Sequence, residues 1–490
     1  MKTLASLGLR ARDGRDAEVT GLSVDSRTVK PGHLFAALPG SRVHGGEFIS
    51  YALRMKAGSV LTDPEGAEIA KAELAAAGVP VVVVEDPRAA LAGAAALWFG
   101  RQPEVVVAVT GTSGKTSVAT FTRQIWQGLG FRAANLGTMG VLGDFSAPLA
   151  HTTPEPITLH SLLAEMAEAG VTHAAMEASS HGLDQRRLDG VRLRAAAYTN
   201  FSQDHLDYHA GFEDYFAAKA GLFSRVLPDD GVAVINIDEA RGRDMARIAH
   251  ERDIPVLGVG RSAPADLRIT HQRYDATGQD LRFDWQGRSH QLRLALIGGF
   301  QADNVLTAAG LAIATGSRAE EVFATLPRLT TVPGRMQLVA TRANGATVFV
   351  DYSHKPGALA SALQSLRPHV MGRIVVVFGA GGDRDRLKRP LMGRAAAENA
   401  DVVYVTDDNP RSEDPAAIRA EVMAGCPEAN EVADRAEAIL RGVDALQPGD
   451  ALLIAGKGHE TGQIIGNDIY PFDDAEQASV AVAVLDRRPA

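Results

Sequence analysis

Residues Val105–Phe121 read "VVVAVTGTSGKTSVATF". An apolar run enters Gly111, Thr112, Ser113, Gly114, Lys115, Thr116 and Ser117, and a helix-forming stretch follows. The pattern predicts strand, glycine loop and helix in that order. Glycines let backbone N–H groups turn toward phosphate oxygens at the helix N-terminus. In such a loop Lys115 neutralises β- and γ-phosphates, and the Thr116 hydroxyl ligates magnesium. Val109 stands where the longer form of the pattern has a glycine, but the shorter G-x-x-G-K-T core is intact. The bland alternative is a glycine turn capping a helix, with Lys115 in solvent. The chain has no guanine-reading N-K-x-D tetrad, which weakens a GTPase-switch reading.

Outward from this loop, 490 residues suggest about three domains. Hydrophobic content of 46% with 22% charged residues is that of a folded soluble protein. A net charge of -9 argues against a nucleic-acid surface. The single cysteine, Cys426, excludes an internal disulfide framework and fits a reducing compartment. The opening "MKTLASLGLRARDGRD" lacks an apolar core for a signal peptide, and "AALAGAAALWFG" is too short to span a bilayer. The expectation is a cytoplasmic monomer without membrane insertion or nucleic-acid partner.

Three α/β blocks are expected, at 1–100, 101–331 and 332–490. In the middle block "THAAMEA" and "LRAAAYTNF" read as strands between helices, and "DLRFDWQGRSHQLRLAL" alternates with period two, as antiparallel edge strands do. The last block holds "ATVFVDYSH", "RIVVVFGAGGD", "DVVYVTDDN" and "DALLIAGKGHE", each a strand entering a polar or glycine-rich loop. Helical stretches between them predict a parallel sheet with right-handed crossovers. Ligands of such sheets lie beyond the carboxyl ends of the strands.

Chemistry-bearing residues gather at such ends. Glu177 follows one apolar strand; Asp204, His205, Asp207 and His209 follow another; Lys219 lies in an apolar helical face. Carboxylate and imidazole near a phosphate loop suit magnesium and phosphoryl transfer. His209 reads as a surface or capping histidine. Without H-E-x-x-H, a zinc hydrolase reading is weak. In "TDDNPRSEDP", Thr406–Pro415, Asp408 and Arg411 flank a rigid Pro410. A capped turn explains the stretch locally, but its place at a parallel strand end favours a ligand.

With these residues in view, the chain resembles the Mur ligases, ATP-dependent amino-acid-adding enzymes of peptidoglycan synthesis. The motifs are "VDSRTVKPGHLFAALPG", "GTSGKT", "TTPE", "MEASSHGLDQRR", "TNFSQDHLDYH", "AAKAGLF", "VPGRM", "DYSHKPGAL", "GGDRDRLKRPLM", "DDNPR" and "AGKGHE", and they span nearly the whole chain. His151 stands where relatives often have asparagine. "GGFQADN" lacks the first asparagine of the usual motif, leaving Gln301 there, and "DYSHKPG" replaces the commoner D-Y-A-H-T-P-D.

The resemblance implies a three-domain α/β architecture: a UDP-substrate domain, a central P-loop ATPase domain and a Rossmann-like domain that brings in the amino acid. It implies that Val24, Ser26, Ser41, Arg42 and Val43 hold the uridine end of UDP-N-acetylmuramoyl-L-alanyl-D-glutamate. Thr152, Thr153, Ser179, Gln185 and Arg187 would hold its muramoyl-peptide part. Asn304 and Arg335 would face ATP, with His354 near it. Mg²⁺ would rest on Thr116, Glu177 and His205, and Lys219 would be carbamylated (N6-carboxylysine). Burial lowers a lysine's pKa, and neutral amine adds CO₂. Arg384, Asp408, Asn409, Pro410, Arg411, Gly456 and Glu460 would hold meso-diaminopimelate, because lysine offers no distal carboxylate to an arginine. The implied reaction moves the γ-phosphoryl to the D-glutamate carboxylate, and the incoming amine displaces phosphate. The rivals are another ligase of the superfamily, the same chemistry with L-lysine, and a nucleotide-dependent regulator without condensation chemistry.

Overall fold

The computed structural model describes residues 1–40, 43–202 and 208–487. Ser41, Arg42, Asp204, His205 and Asp207 therefore lie outside the described residues. Contacts divide the chain into two compact units, Met1–Leu267 with Leu306–Phe323, and Arg268–Val305 with Ala324–Ala490.

The first unit holds a parallel amino-terminal sheet and a largely parallel central one, in which Gly140–Gly143 pairs antiparallel to Ala133–Gly137. The amino-terminal one orders Gly21–Ser23, His33–Ala36, Ser59–Thr62 and Val81–Val83 side by side. Helix Pro87–Phe99 packs beside it. Asp86 caps that helix by accepting from Ala89 N, Pro87 supplies the preset first turn, and Gly100 ends it at φ +73°. In the central sheet, Val105–Thr110 lies between His173–Glu177 and Leu193–Tyr198. Ala133–Gly137 continues one side, and Val232–Asn236 with Val256–Gly260 the other. Both faces of this sheet are covered, so its strands are continuous apolar runs. Val106, Ala108, Met176 and Ala196 are fully or almost fully buried.

The second unit carries the parallel strands Thr347–Asp351, Ala451–Ala455, Ile374–Phe378, Val402–Val405 and Asn430–Glu431, in that spatial order, with Gln337–Thr341 antiparallel at the edge. Apolar clusters cover both faces, one around Phe349 and Phe378, the other around Val350 and Ile439. The period-two stretch forms the antiparallel pair Gly278–Trp285 and Arg288–Leu294, as expected. No helix among the described residues is long and apolar enough to cross a membrane.

Candidate active site

The phosphate loop lies at the carboxyl end of the central strand. Gly111 has φ +145°, and a Cβ there would come within 2.0 Å of Thr199 Oγ1. Only glycine fits. Gly114, at φ +87°, precedes helix Lys115–Gly128. The neighbouring strand end grips the loop. Ser113 N donates to Asn200 Oδ1 (2.9 Å), Thr199 Oγ1 to Ser113 O (2.6 Å), and Thr112 N to Asn200 O (2.9 Å). Lys115 Nζ lies over the loop, donating to Gly111 O at 2.8 Å and Thr112 O at 3.0 Å. Ser117 is buried in the first helical turn.

One strand away, Glu177 pairs in register with Val109 and is buried. Its Oε1 accepts from Thr138 N at 2.9 Å, and a Cβ on Gly137 would lie 1.9 Å from that oxygen. Glycine at 137 thus makes the space the carboxylate occupies. A polar cluster continues from there. Thr152 Oγ1 is 3.1 Å from Thr138 Oγ1. Thr153 Oγ1 donates to Glu177 O (2.9 Å) and accepts from Ser179 N (3.1 Å). Ser179 Oγ caps helix Ser180–Asp184 by accepting from Gly182 N. Arg187 donates to Thr153 O at 2.6 Å and Gln185 Oε1 at 2.8 Å, and Gln185 Nε2 donates to Tyr208 OH at 3.0 Å. Burial, with Arg88 nearby, lowers the Arg187 pKa from the usual arginine value. All five residues expected at the muramoyl-peptide part therefore form one network with Glu177.

Lys219 is 1% exposed on helix Phe212–Gly221. Its Nζ donates to Gly111 O at 2.9 Å and lies 4.3 Å from the Tyr215 ring centroid. The two lysine nitrogens, of 115 and 219, thus converge on one loop carbonyl. His209 corrects an expectation: it is buried, not at the surface. Its Nδ1 lies 3.1 Å from Asp214 Oδ2, and its ring packs 5.2 Å from that of Tyr215. Among the described residues no three of His, Cys, Asp or Glu gather as a metal cage. The Glu177 carboxylate and Thr116 hydroxyl are hard oxygen donors. That set fits Mg²⁺, which takes one or two protein ligands and completes its shell with phosphate and water.

In the amino-terminal sheet's loops, Ser26 opens a single turn capped by Asp25, while Val24 and Val43 are exposed. In the second unit, Asn304 is buried and donates to Gln301 Oε1 at 3.1 Å, so Gln301 orients the amide that follows it. Arg335 stacks 4.7 Å from the Tyr352 ring centroid. His354 Nδ1 lies 2.9 Å from Tyr352 O, burial lowers its pKa, and its own carbonyl accepts from Lys388 Nζ at 2.9 Å.

The loop after Val402–Val405 meets the loop after Ala451–Ala455. Asp408 and Asn409 are buried. Gly456, at φ +118°, leaves room for the Asp408 carboxylate: a Cβ there would sit 2.7 Å from Oδ2. Asn409 Oδ1 accepts from the fully buried Lys457 Nζ (2.9 Å), and its Nδ2 donates to Glu460 Oε2 (2.9 Å). Arg411 donates through Nη1 to Gly382 O at 2.8 Å and pairs with no carboxylate among the described residues. Arg384 is exposed and donates to Asp383 O at 3.1 Å. Asp408, Asn409, Pro410, Arg411, Gly456 and Glu460 are thus one locus.

The Mur ligase family catalytic domain matches residues 18–98, the Mur ligase middle domain 109–312, and the Mur ligase glutamate ligase domain 334–458. The chain belongs to the Mur ligase family. The UDP-N-acetylmuramoyl-L-alanyl-D-glutamate--2,6-diaminopimelate ligase of Bradyrhizobium diazoefficiens is 50% identical over 472 residues, 95% of each chain. The protein of that name from Brucella melitensis is 50% identical over 471 residues, 96% of this chain and 95% of its own. A solved structure of a ligase with the same name aligns with a TM-score of 0.72 at 34% identity, covering 96% of each chain. The architecture is the three-domain Mur ligase one.

Within this Mur ligase, Thr138, Tyr208 and Lys457 hydrogen-bond to the expected site residues Glu177, Gln185 and Asn409, and no motif assigns a role to those three in the sequence. Lys457 stands inside the quoted "AGKGHE", and Thr138 follows the strand Ala133–Gly137, so position at a parallel strand end was the available signal.

Proposed function

We infer that this Mur ligase uses ATP to join meso-2,6-diaminopimelate to the D-glutamate carboxylate of UDP-N-acetylmuramoyl-L-alanyl-D-glutamate, in peptidoglycan synthesis. The observation that carries the reading is the 50% identity, over 95% of both chains, to a ligase named for that reaction. We further propose domain boundaries near residues 100 and 331, and a cytoplasmic location.

Carboxylates do not acylate amines unaided, so a leaving group must be installed. The Lys115 ammonium over the Gly111–Gly114 loop is suited to absorb charge as the γ-phosphoryl moves to the carboxylate. The loop's shape is held by Thr199 and Asn200, which limits reorganisation during transfer. Thr116, Glu177 and His205 would hold Mg²⁺, which when bound offsets phosphate charge. Lys219 is proposed as the carbamate: neutral amine adds to CO₂, forming an N–C bond and releasing one proton. Its burial beside the loop supports that role.

In the second unit, Asp408 is suited to accept from an ammonium, and Arg411 to pair with the distal carboxylate of diaminopimelate. The attacking amine displaces phosphate from the acyl phosphate, giving the amide. The test is phosphate release from purified protein. Release should require the UDP-dipeptide and diaminopimelate together. Steady release with ATP alone would favour a nucleotide-dependent regulator.

A further inference from the structure

Arg411 is a non-glycine residue in the left-handed region, φ +50°. Such a conformation costs free energy and persists where surroundings over-determine it. The surroundings here are a hairpin, Gly462–Ile465 with Asp468–Pro471, turning at Gly466 (φ +59°). Arg411 N donates to Ile464 O at 3.1 Å, and Gly466 N donates to Arg411 O at 2.7 Å. Ile464 N donates to Asn409 Oδ1 at 2.9 Å, and Gln463 Nε2 donates to Asp408 O at 2.7 Å. Each of Asp408, Asn409 and Arg411 is therefore fastened to the hairpin by at least one hydrogen bond.

The hairpin has little core of its own: Ile465, Ile469 and Tyr470 are 45%, 70% and 52% exposed. A lone two-stranded hairpin is marginal in water. Its order depends on docking to the Asp408–Arg411 loop, and that loop's backbone depends on the hairpin. We propose that the Gly462–Pro471 hairpin is a specificity-determining strap, with Gln463 a positioning residue that sets where Asp408 and Arg411 aim. This rests on the reading that those two residues receive the incoming amino acid.

The experiment compares Gln463→Ala and Gln463→Glu with Arg411→Ala, reading KM for diaminopimelate, ATP and the UDP-dipeptide separately, with thermal midpoints as a fold check. Gln463 is partly exposed, so its variants should fold. A carboxylate cannot donate to the Asp408 carbonyl, so the glutamate variant should behave like the alanine one. Both should raise KM for diaminopimelate about five- to tenfold, the loss of one hydrogen bond, with kcat within about twofold and the other KM values unchanged. If Arg411→Ala raises that KM and neither Gln463 variant does, the strap is wrong and the amino-acid site stands. If Arg411→Ala also leaves it unchanged, the site reading fails and takes the strap with it.

Discussion

Lys219 is the residue of the first unit on which the proposed chemistry leans most. It is almost fully buried, donates to the phosphate loop at Gly111 O and faces the Tyr215 ring. A permanent ammonium there would repel a divalent cation, whereas a carbamate would support one. Lys219→Ala should lose about a hundredfold or more in kcat. Bicarbonate should not restore it, and small carboxylic acids should do so in part by replacing the missing anion. Isotope-labelled bicarbonate should give a carbamate NMR signal in the unmodified protein that the variant lacks. Near-normal turnover in the variant would reduce Lys219 to a packed helix residue. The placement of Lys219 in a buried helical face was legible in sequence, because its neighbours there are apolar. The burial of His209 was not. That ring packs against His181, Tyr208 and Tyr215, with Asp214 beside its Nδ1, and the contribution of His181, 28 residues earlier, is not reported by any local pattern.

Among the elements, helix Pro156–Glu168 carries a fully buried histidine. His160 Nε2 is 3.3 Å from Asp189 O, and its Nδ1 is buried without a partner. Burial therefore lowers its pKa from 6.5 to about 4. The unfolded imidazole takes up a proton near 6.5 while the folded one resists until about 4. Folded stability thus falls as pH drops through that window and levels off below it. The fall between pH 7 and pH 5 should be roughly 2 kcal/mol smaller in His160→Leu. Thermal midpoints of the two proteins at both pH values check this, and equal falls would contradict it. Strands and the phosphate loop were legible at this scale because each is a short-range pattern. The hairpin Gly462–Pro471 was not, since what orders it is its pairing with Arg411, about fifty residues earlier in the chain.

For the molecule as a whole, the order of motifs carried the architecture, while the division by contacts falls elsewhere. Residues 268–305 belong to the second compact unit. Within that unit His369 explains part of the attachment: Gly298 N donates to its Nε2 at 3.0 Å, and its Nδ1 is 2.7 Å from Asp275 O. Burial lowers the pKa of His369, which keeps it neutral, as a ring that both donates and accepts must be. A single histidine 71 and 94 residues from its two partners announces nothing in sequence. The substrate assignment also belongs to the whole molecule, because the relatives named for it match along 95% of the chain. It is tested most directly by kcat/KM for meso-diaminopimelate against L-lysine, with ATP and the UDP-dipeptide saturating. An arginine left without its carboxylate in a site built for that pair discriminates by about 10⁴. The account predicts a preference for diaminopimelate of that order; comparable values for the two amino acids would contradict it.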